Sequence, residues 1–294
     1  MAGFQKAKKE KIWTKILLGG SSGSGKTYSA LRLATGLARK SGGSGIAAID
    51  TEAGRIRYYA NEFDFCDMQL TEPFTPEKYI EAINEAVDSG FKVLIIDSIS
   101  HEWNYCVDIH DKMPGNSWTN WSKVTPRHDA FMEKILQAPI HIIATVRGKD
   151  EYVLEEKNGK QTPKKVGLGF KQRDGVEYNY TATFNIMQDT HIAEATKDNT
   201  HIFFGCYEVL TEKDGEALYD WANAGDDYAF NIGGAQNDII KLATELGGSK
   251  DPEVKAATID ILGEANPKNC TNEALLKKSL EALNSLKVSR GGSK

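Results

Sequence analysis

Residues Gly20-Ser21-Ser22-Gly23-Ser24-Gly25-Lys26-Thr27 complete a G-x-x-x-x-G-K-[ST] pattern, and no other stretch constrains the fold as much. The apolar run Lys15-Ile16-Leu17-Leu18 precedes it, and Leu33, Ala34 and Leu37 follow at helical spacing. The pattern therefore sits in the strand, loop, helix context that its chemistry requires. Its glycines let the backbone turn so that successive N–H groups converge on the phosphates of a nucleotide, and the start of the next helix adds partial positive charge. On this reading Gly20 to Thr27 wrap the phosphates of ATP. Lys26 reaches the β- and γ-phosphates, and the Thr27 hydroxyl holds Mg²⁺.

More apolar strands follow in step with helices. Ile46 to Asp50, Val93 to Asp97 and Ile140 to Thr145 read as buried strands, and Glu77 to Val87 and Arg127 to Leu136 as helices. Repeated βα units of this kind predict an α/β core with a mainly parallel sheet between helices. Ligands of such sheets bind at the carboxyl ends of the strands, where Gly20, Asp50, Asp97 and Thr145 fall. Gly148 to Gly175 is polar and rich in Lys and Gly, which predicts a long functional loop. Tyr178 to Met187 and His201 to Leu210 read as strands that extend the sheet antiparallel. From about Phe230 the chain is helical and polar, with no independent core in view. The expected organisation is a mobile basic arm over 1–12, a core over 13–225 and a small helical C-terminal appendage over 226–294.

With 294 residues and a net charge of −5, any nucleic-acid surface must be a local basic patch. The four cysteines are far apart and lack metal spacing, which suits a reducing cytosol. No apolar run approaches the ~20 residues of a membrane span, so a cytoplasmic protein without a membrane partner is expected.

A phosphate loop alone leaves the class open. Asp97, ending an apolar strand, suits the carboxylate that holds the Mg²⁺ shell. The next residue is Ser98, so the water-activating Glu that ring-forming AAA+ ATPases carry there is missing. The second strand supplies a replacement in Asp50-Thr51-Glu52, and Glu52 is the expected general base.

The succession of the phosphate loop, Ile49-Asp50-Thr51-Glu52-Ala53, Leu94-Ile95-Ile96-Asp97-Ser98 and a strand leading through Arg147-Gly148-Lys149 into a basic segment resembles the RecA-type recombinase core over roughly residues 12 to 210. The Gln172 to Tyr178 segment and the short length are most similar to phage-encoded RecA-like single-strand annealing ATPases. The resemblance implies a RecA-like P-loop NTPase fold. It implies Glu52 as catalytic base and Tyr59, seven residues on, as the aromatic cover of the adenine. Thr145 stands where bacterial RecA proteins carry a γ-phosphate-sensing Gln, and the C-terminal part is smaller than theirs.

Between Arg147 and Arg173 stand eight basic residues, among them Arg147, Lys149, Lys157, Lys160, Lys164 and Lys165, against four acidic ones, a local +4. That balance suits a single-stranded DNA backbone, and the resemblance puts DNA-binding loops there. It also implies that Lys171 and Arg173 reach the γ-phosphate of a neighbouring subunit, and that Phe4 and Ala7, an F-x-x-A pair, dock the arm onto the next protomer of a filament or ring. Trp118 and Trp121 read more readily as lids over the core than as a DNA surface, and His128 and His141 as structural. The expected function is an ATP-dependent single-stranded DNA-binding recombinase, promoting annealing or strand exchange in a phage or bacterial pathway. A phage single-strand binding protein is the candidate protein partner, and the host cytosol the compartment. An ATP-driven switch or loader acting on a protein, and a small-molecule kinase, remain as alternatives.

Overall fold

The computed structural model describes residues 6–43, 45–157, 160–225 and 232–291; the side chains of residues 150–168, 288 and 291 lie outside that description. Two compact units divide the chain, Met1–Asp226 and Asp227–Lys294.

In the first unit the described elements run β1 (Lys15–Gly20), α1 (Lys26–Lys40), β2 (Ile46–Asp50), β3 (Cys66–Gln69), α2 (Pro76–Asp88), β4 (Val93–Asp97), α3 (Ser100–Lys112), α4 (Ser117–Gln137), β5 (His141–Lys157), β6 (Lys160–Phe170), β7 (Ala182–Ile186), β8 (Ala193–Asp198), β9 (Tyr207–Glu208) and α5 (Glu212–Asn223). The sheet order is β3-β2-β4-β5-β1-β7-β8-β9, parallel from β3 to β7 and antiparallel beyond. Every residue of β1, β2 and β4 is buried, because each strand is covered on both faces and so must be apolar throughout. The pleat sends Ile16 and Leu18 to the face packed by Leu33 and Leu37 of α1, and Leu17 to the face packed by Ile83 of α2 and Phe131 of α4. Each such side chain contributes roughly 1.5–3 kcal/mol on burial. Helices α1 and α5 cross in near-backbone contact, since a Cβ on Gly36 would lie 1.9 Å from the carbonyl oxygen of Glu212.

Several expectations need correction. The segment read as a loop is a hairpin: β5 runs on past the sheet edge to Lys157 and β6 returns antiparallel from Lys160 to Phe170. Strand β7 is parallel to β1, and of the strands expected to extend the sheet antiparallel only those after it, β8 and β9, do so. Residues 201–205 form bends and turns where a strand was expected. Helix α3 was not foreseen because its buried residues are Ser100, Glu102 and Cys106, which carry no apolar stripe. The N-terminal segment is tied down where it is described: the Ile12 N–H donates to the Ala222 carbonyl at 3.0 Å, and the Lys9 ammonium lies 4.6 Å over the Trp221 ring.

At the base of the sheet His141 is buried, and its Nδ1 lies 3.1 Å from the Thr14 backbone N–H that donates to it. Burial, with the nearby Lys15 charge, lowers its pKa to about 3. The unfolded chain takes up this proton below ~6.5 and the folded chain does not, so the stability is complete above ~6.5 and drains away as the pH falls toward about 3. Urea unfolding should show wild type losing up to ~1.4 kcal/mol per pH unit more across that window than His141→Asn, which keeps an acceptor but cannot charge. Parallel pH curves for the two proteins would contradict it.

The second unit comprises α6 (Ile232–Glu245), α7 (Pro252–Lys255) continued by a π-helical turn over Ala256–Asp260, and α8 (Glu273–Gly291). Contrary to expectation it has a core of its own, with Ile239, Val254, Leu276 and Leu283 buried together. Each helix contributes only a few of these residues, so no single segment advertises the core in the sequence.

Candidate nucleotide site

Helix α1 starts directly after the phosphate loop, with Gly25 at its N-cap at φ 91°, a left-handed conformation that favours glycine. The Lys26 ammonium folds back onto the loop and donates to the carbonyls of Gly20 at 2.9 Å and Ser21 at 2.7 Å. Burial lowers its pKa, while the Asp97 and Glu52 carboxylates oppose the shift. The Ser24 hydroxyl is buried without a hydrogen-bond partner inside the loop.

Three strand ends converge on this loop. The Thr27 hydroxyl donates to Asp97 Oδ2 at 2.6 Å, and the Thr145 hydroxyl donates to Asp97 Oδ1 at 2.5 Å. Burial raises the Asp97 pKa against these hydrogen bonds. Asp97 and Thr27 together present hard oxygen donors side by side, a donor set that fits Mg²⁺. Asp50 is buried one strand over, and its Oδ1 accepts the Glu52 N–H at 2.6 Å, fixing the turn that carries Glu52.

Glu52 is clamped. The Arg147 guanidinium donates to both carboxylate oxygens, Nε to Oε1 at 2.9 Å and Nη2 to Oε2 at 2.5 Å, and the Ser98 hydroxyl adds a bond at 3.3 Å. His101, held to the Thr51 hydroxyl at 2.7 Å, stands 4.0 Å from the same carboxylate. Burial works against ionisation of Glu52, but the bonds and charge of Arg147, with His101 and Ser98, outweigh it and hold the pKa below its ordinary value.

These groups wall a cavity of about 890 Å³, large enough for a nucleotide. Ser22, Gly23, Gly25, Lys26 and Thr27 line its phosphate end with Glu52 and Asp97. Tyr28, Tyr58 and Tyr59 line the cavity too, and the Tyr28 and Tyr59 rings meet edge to face at 5.5 Å. His191, from the β7–β8 connection, meets the Ser24 carbonyl at 3.0 Å and lines the cavity as well.

The structure thus brings Lys26, Thr27, Glu52, Tyr59 and Asp97 around one space. Other residues fall differently. Thr145 is fully buried behind Asp97 and does not line the cavity, so its hydroxyl positions a carboxylate and does not touch nucleotide. Arg147, expected on a DNA surface, points back into the site onto Glu52. Lys171 lines the cavity of its own chain. Arg173 lies away from it, paired with Asp129 at 2.7 Å. Lys149 is exposed near Asp174, at 3.9 Å. The side chains of Lys157, Lys160, Lys164 and Lys165 lie outside the described residues, as does Phe4; Ala7 is exposed. Tyr28, Tyr58, His101 and His191 were not foreseen, and only Tyr28, beside Thr27 in the motif, carried a local signal. No helix among the described residues is long and apolar enough to cross a membrane.

Residues 13–217 match the family described as AAA domain. No curated protein matches the chain in sequence. Among solved structures it is similar to a KaiC-like protein from the hyperthermophilic archaeon Pyrococcus horikoshii, at 15% identity and a TM-score of 0.37, covering 63% of this chain and 79% of that one. It is also similar to the genome packaging NTPase B204 of Sulfolobus turreted icosahedral virus 2. The complex of B204 with sulfate gives 15% identity and a TM-score of 0.35, and the complex with ATP-gammaS gives 14% and 0.34; each covers 59% of this chain and 74% of that one.

Proposed function

We propose that this chain, which belongs to the AAA domain family and is a P-loop ATPase, couples ATP hydrolysis to the binding of single-stranded DNA and serves annealing or strand exchange in a phage recombination pathway. The observation that carries the coupling is the position of Arg147. It stands on β5 where that strand leaves the sheet for the basic hairpin, and it holds Glu52, the carboxylate assigned to activate water.

The chemistry follows from the side chains. Glu52 orients the attacking water and takes its proton, once its lone pairs are free. Lys26 exchanges the Gly20 and Ser21 carbonyls for phosphate oxygens and neutralises charge developing on the γ-phosphate. Thr27 and Asp97 would hold Mg²⁺, whose charge supplies Lewis-acid stabilisation of the phosphates. Tyr59 and Tyr28 enclose the base. The Arg147 clamp occupies both oxygens of Glu52, so the base is ionised but engaged. A phosphodiester backbone lying along the hairpin competes for the guanidinium and releases the base. Phe4 and Ala7 are assigned to contacts between protomers in a filament or ring, and a phage single-strand binding protein to the role of protein partner.

Fluorescence anisotropy with an oligodeoxythymidine tests the binding half of this proposal. Affinity should be higher with ATP-gammaS and Mg²⁺ than with ADP, should exceed that for duplex of equal length, and should fall with salt at a slope of ~−0.7 per phosphate neutralised. Binding that ignores the nucleotide, or no binding, would return the chain to a switch or loader acting on a protein.

A further inference from the structure

We infer that the tryptophans of α3 and α4 form a base-stacking groove for single-stranded nucleic acid, separate from the hairpin and joined to the nucleotide cavity through Lys171. The inference rests on the single-strand reading above and adds the surface that would hold the bases.

The rings are already ordered as a ladder. Trp103 and Trp121 stack at 5.6 Å between centroids with 17° between planes, and Trp121 continues onto His110 at 4.1 Å and 18°. Trp118, one turn before Trp121 on α4, is 87% exposed, which excludes the lid role expected of it. An indole left in water while its neighbours stack presents a free face at low conformational cost. Trp103, Trp118 and Trp121 line a groove of about 490 Å³ with Pro126 and Arg173 and no acidic residue.

The ladder is held rigid from below. His128 meets the Trp103 ring at 4.9 Å and lies 3.1 Å from buried Glu102, which also accepts from the Cys106 thiol at 3.1 Å. All three residues of that network are buried, so the platform is seated on the core.

Charge identifies the occupant. A second groove of about 470 Å³ shares Trp103 and is lined by Lys149, Lys171, Gln172 and Asp108. Flat aromatic faces beside Lys149 and Lys171 suit unpaired bases with their backbone, because every base has a π-face and every linkage a charge. Lys171 lines this groove and the nucleotide cavity alike, so a strand seated here touches the wall of the ATP site.

The test compares wild type, Trp118→Ala and Trp118→Phe in binding labelled oligodeoxythymidine, and an abasic oligomer of the same length, with ATP-gammaS and Mg²⁺ at one salt concentration. Trp118 is exposed, so its replacement leaves the fold intact. Trp118→Ala should weaken binding to oligodeoxythymidine roughly 5- to 100-fold, and Trp118→Phe should keep most of the affinity. The abasic oligomer should bind wild type weakly and lose nothing further in Trp118→Ala. Equal binding of oligodeoxythymidine by wild type and Trp118→Ala, or of abasic and normal strands by wild type, overturns the stacking groove and leaves the single-strand reading standing. Failure of wild type to bind any single strand overturns both.

Discussion

Replacing Glu52 by Gln lowers kcat for ATP hydrolysis ~10²–10⁴-fold, the range for loss of a general base, while nucleotide affinity stays within about twofold. The substitution is isosteric, and the Asp50 bond to the backbone N–H of residue 52 holds the turn regardless of the side chain. The proton-accepting oxygen is lost, and with it the charge and one of the two acceptors that Arg147 grips. Asp97, the other carboxylate facing the phosphates, has both oxygens engaged by Thr27 and Thr145 and a pKa raised by burial, so it is poorly placed to substitute. Single-turnover hydrolysis with a parallel nucleotide-binding titration separates the two effects. Full activity in Glu52→Gln would put the base elsewhere.

Arg147→Ala gives the second large effect, and its sign is opposite. Removing the guanidinium frees both oxygens of Glu52, so basal hydrolysis without DNA rises, and the stimulation by single strands, of the ~5–150-fold size typical of coupling between sites, collapses toward unity. The same change appears in the pH profile. Arg147 holds the Glu52 pKa below its ordinary value, so its removal lets that pKa rise and moves the acidic limb of the kcat profile to higher pH. A steady-state assay from about pH 4 to about pH 8 reads both. Basal activity that falls, with stimulation intact, would make Arg147 a direct contributor to the transition state and not a restraint.

Residues at the carboxyl ends of apolar strands were legible in the sequence because the strand itself is the signal. Lys26 and Thr27 follow β1, Glu52 follows β2, and Asp97 ends β4; all four meet at one cavity. Thr145 shows the limit of that signal: it was expected to end its strand, but β5 runs on to Lys157 and its hydroxyl turns inward to Asp97. Arg147 was expected to face outward with the basic segment and instead points onto Glu52, because a charge balance does not say which way a side chain points. His191 reaches the phosphate loop from a connection 167 residues further along the chain, and no local pattern announces it. Helix α3 was missed because its buried face is polar, and the Trp103 ladder with it, since ring stacking across two helices has no periodicity of its own.

The coupling of hydrolysis to single strands is read most directly from steady-state ATP turnover by the wild-type chain alone, with single-stranded DNA and with duplex DNA. Several-fold or greater stimulation by single strands and little by duplex is the predicted result. Equal turnover in all three conditions would contradict the coupling and leave a P-loop ATPase that acts on another partner.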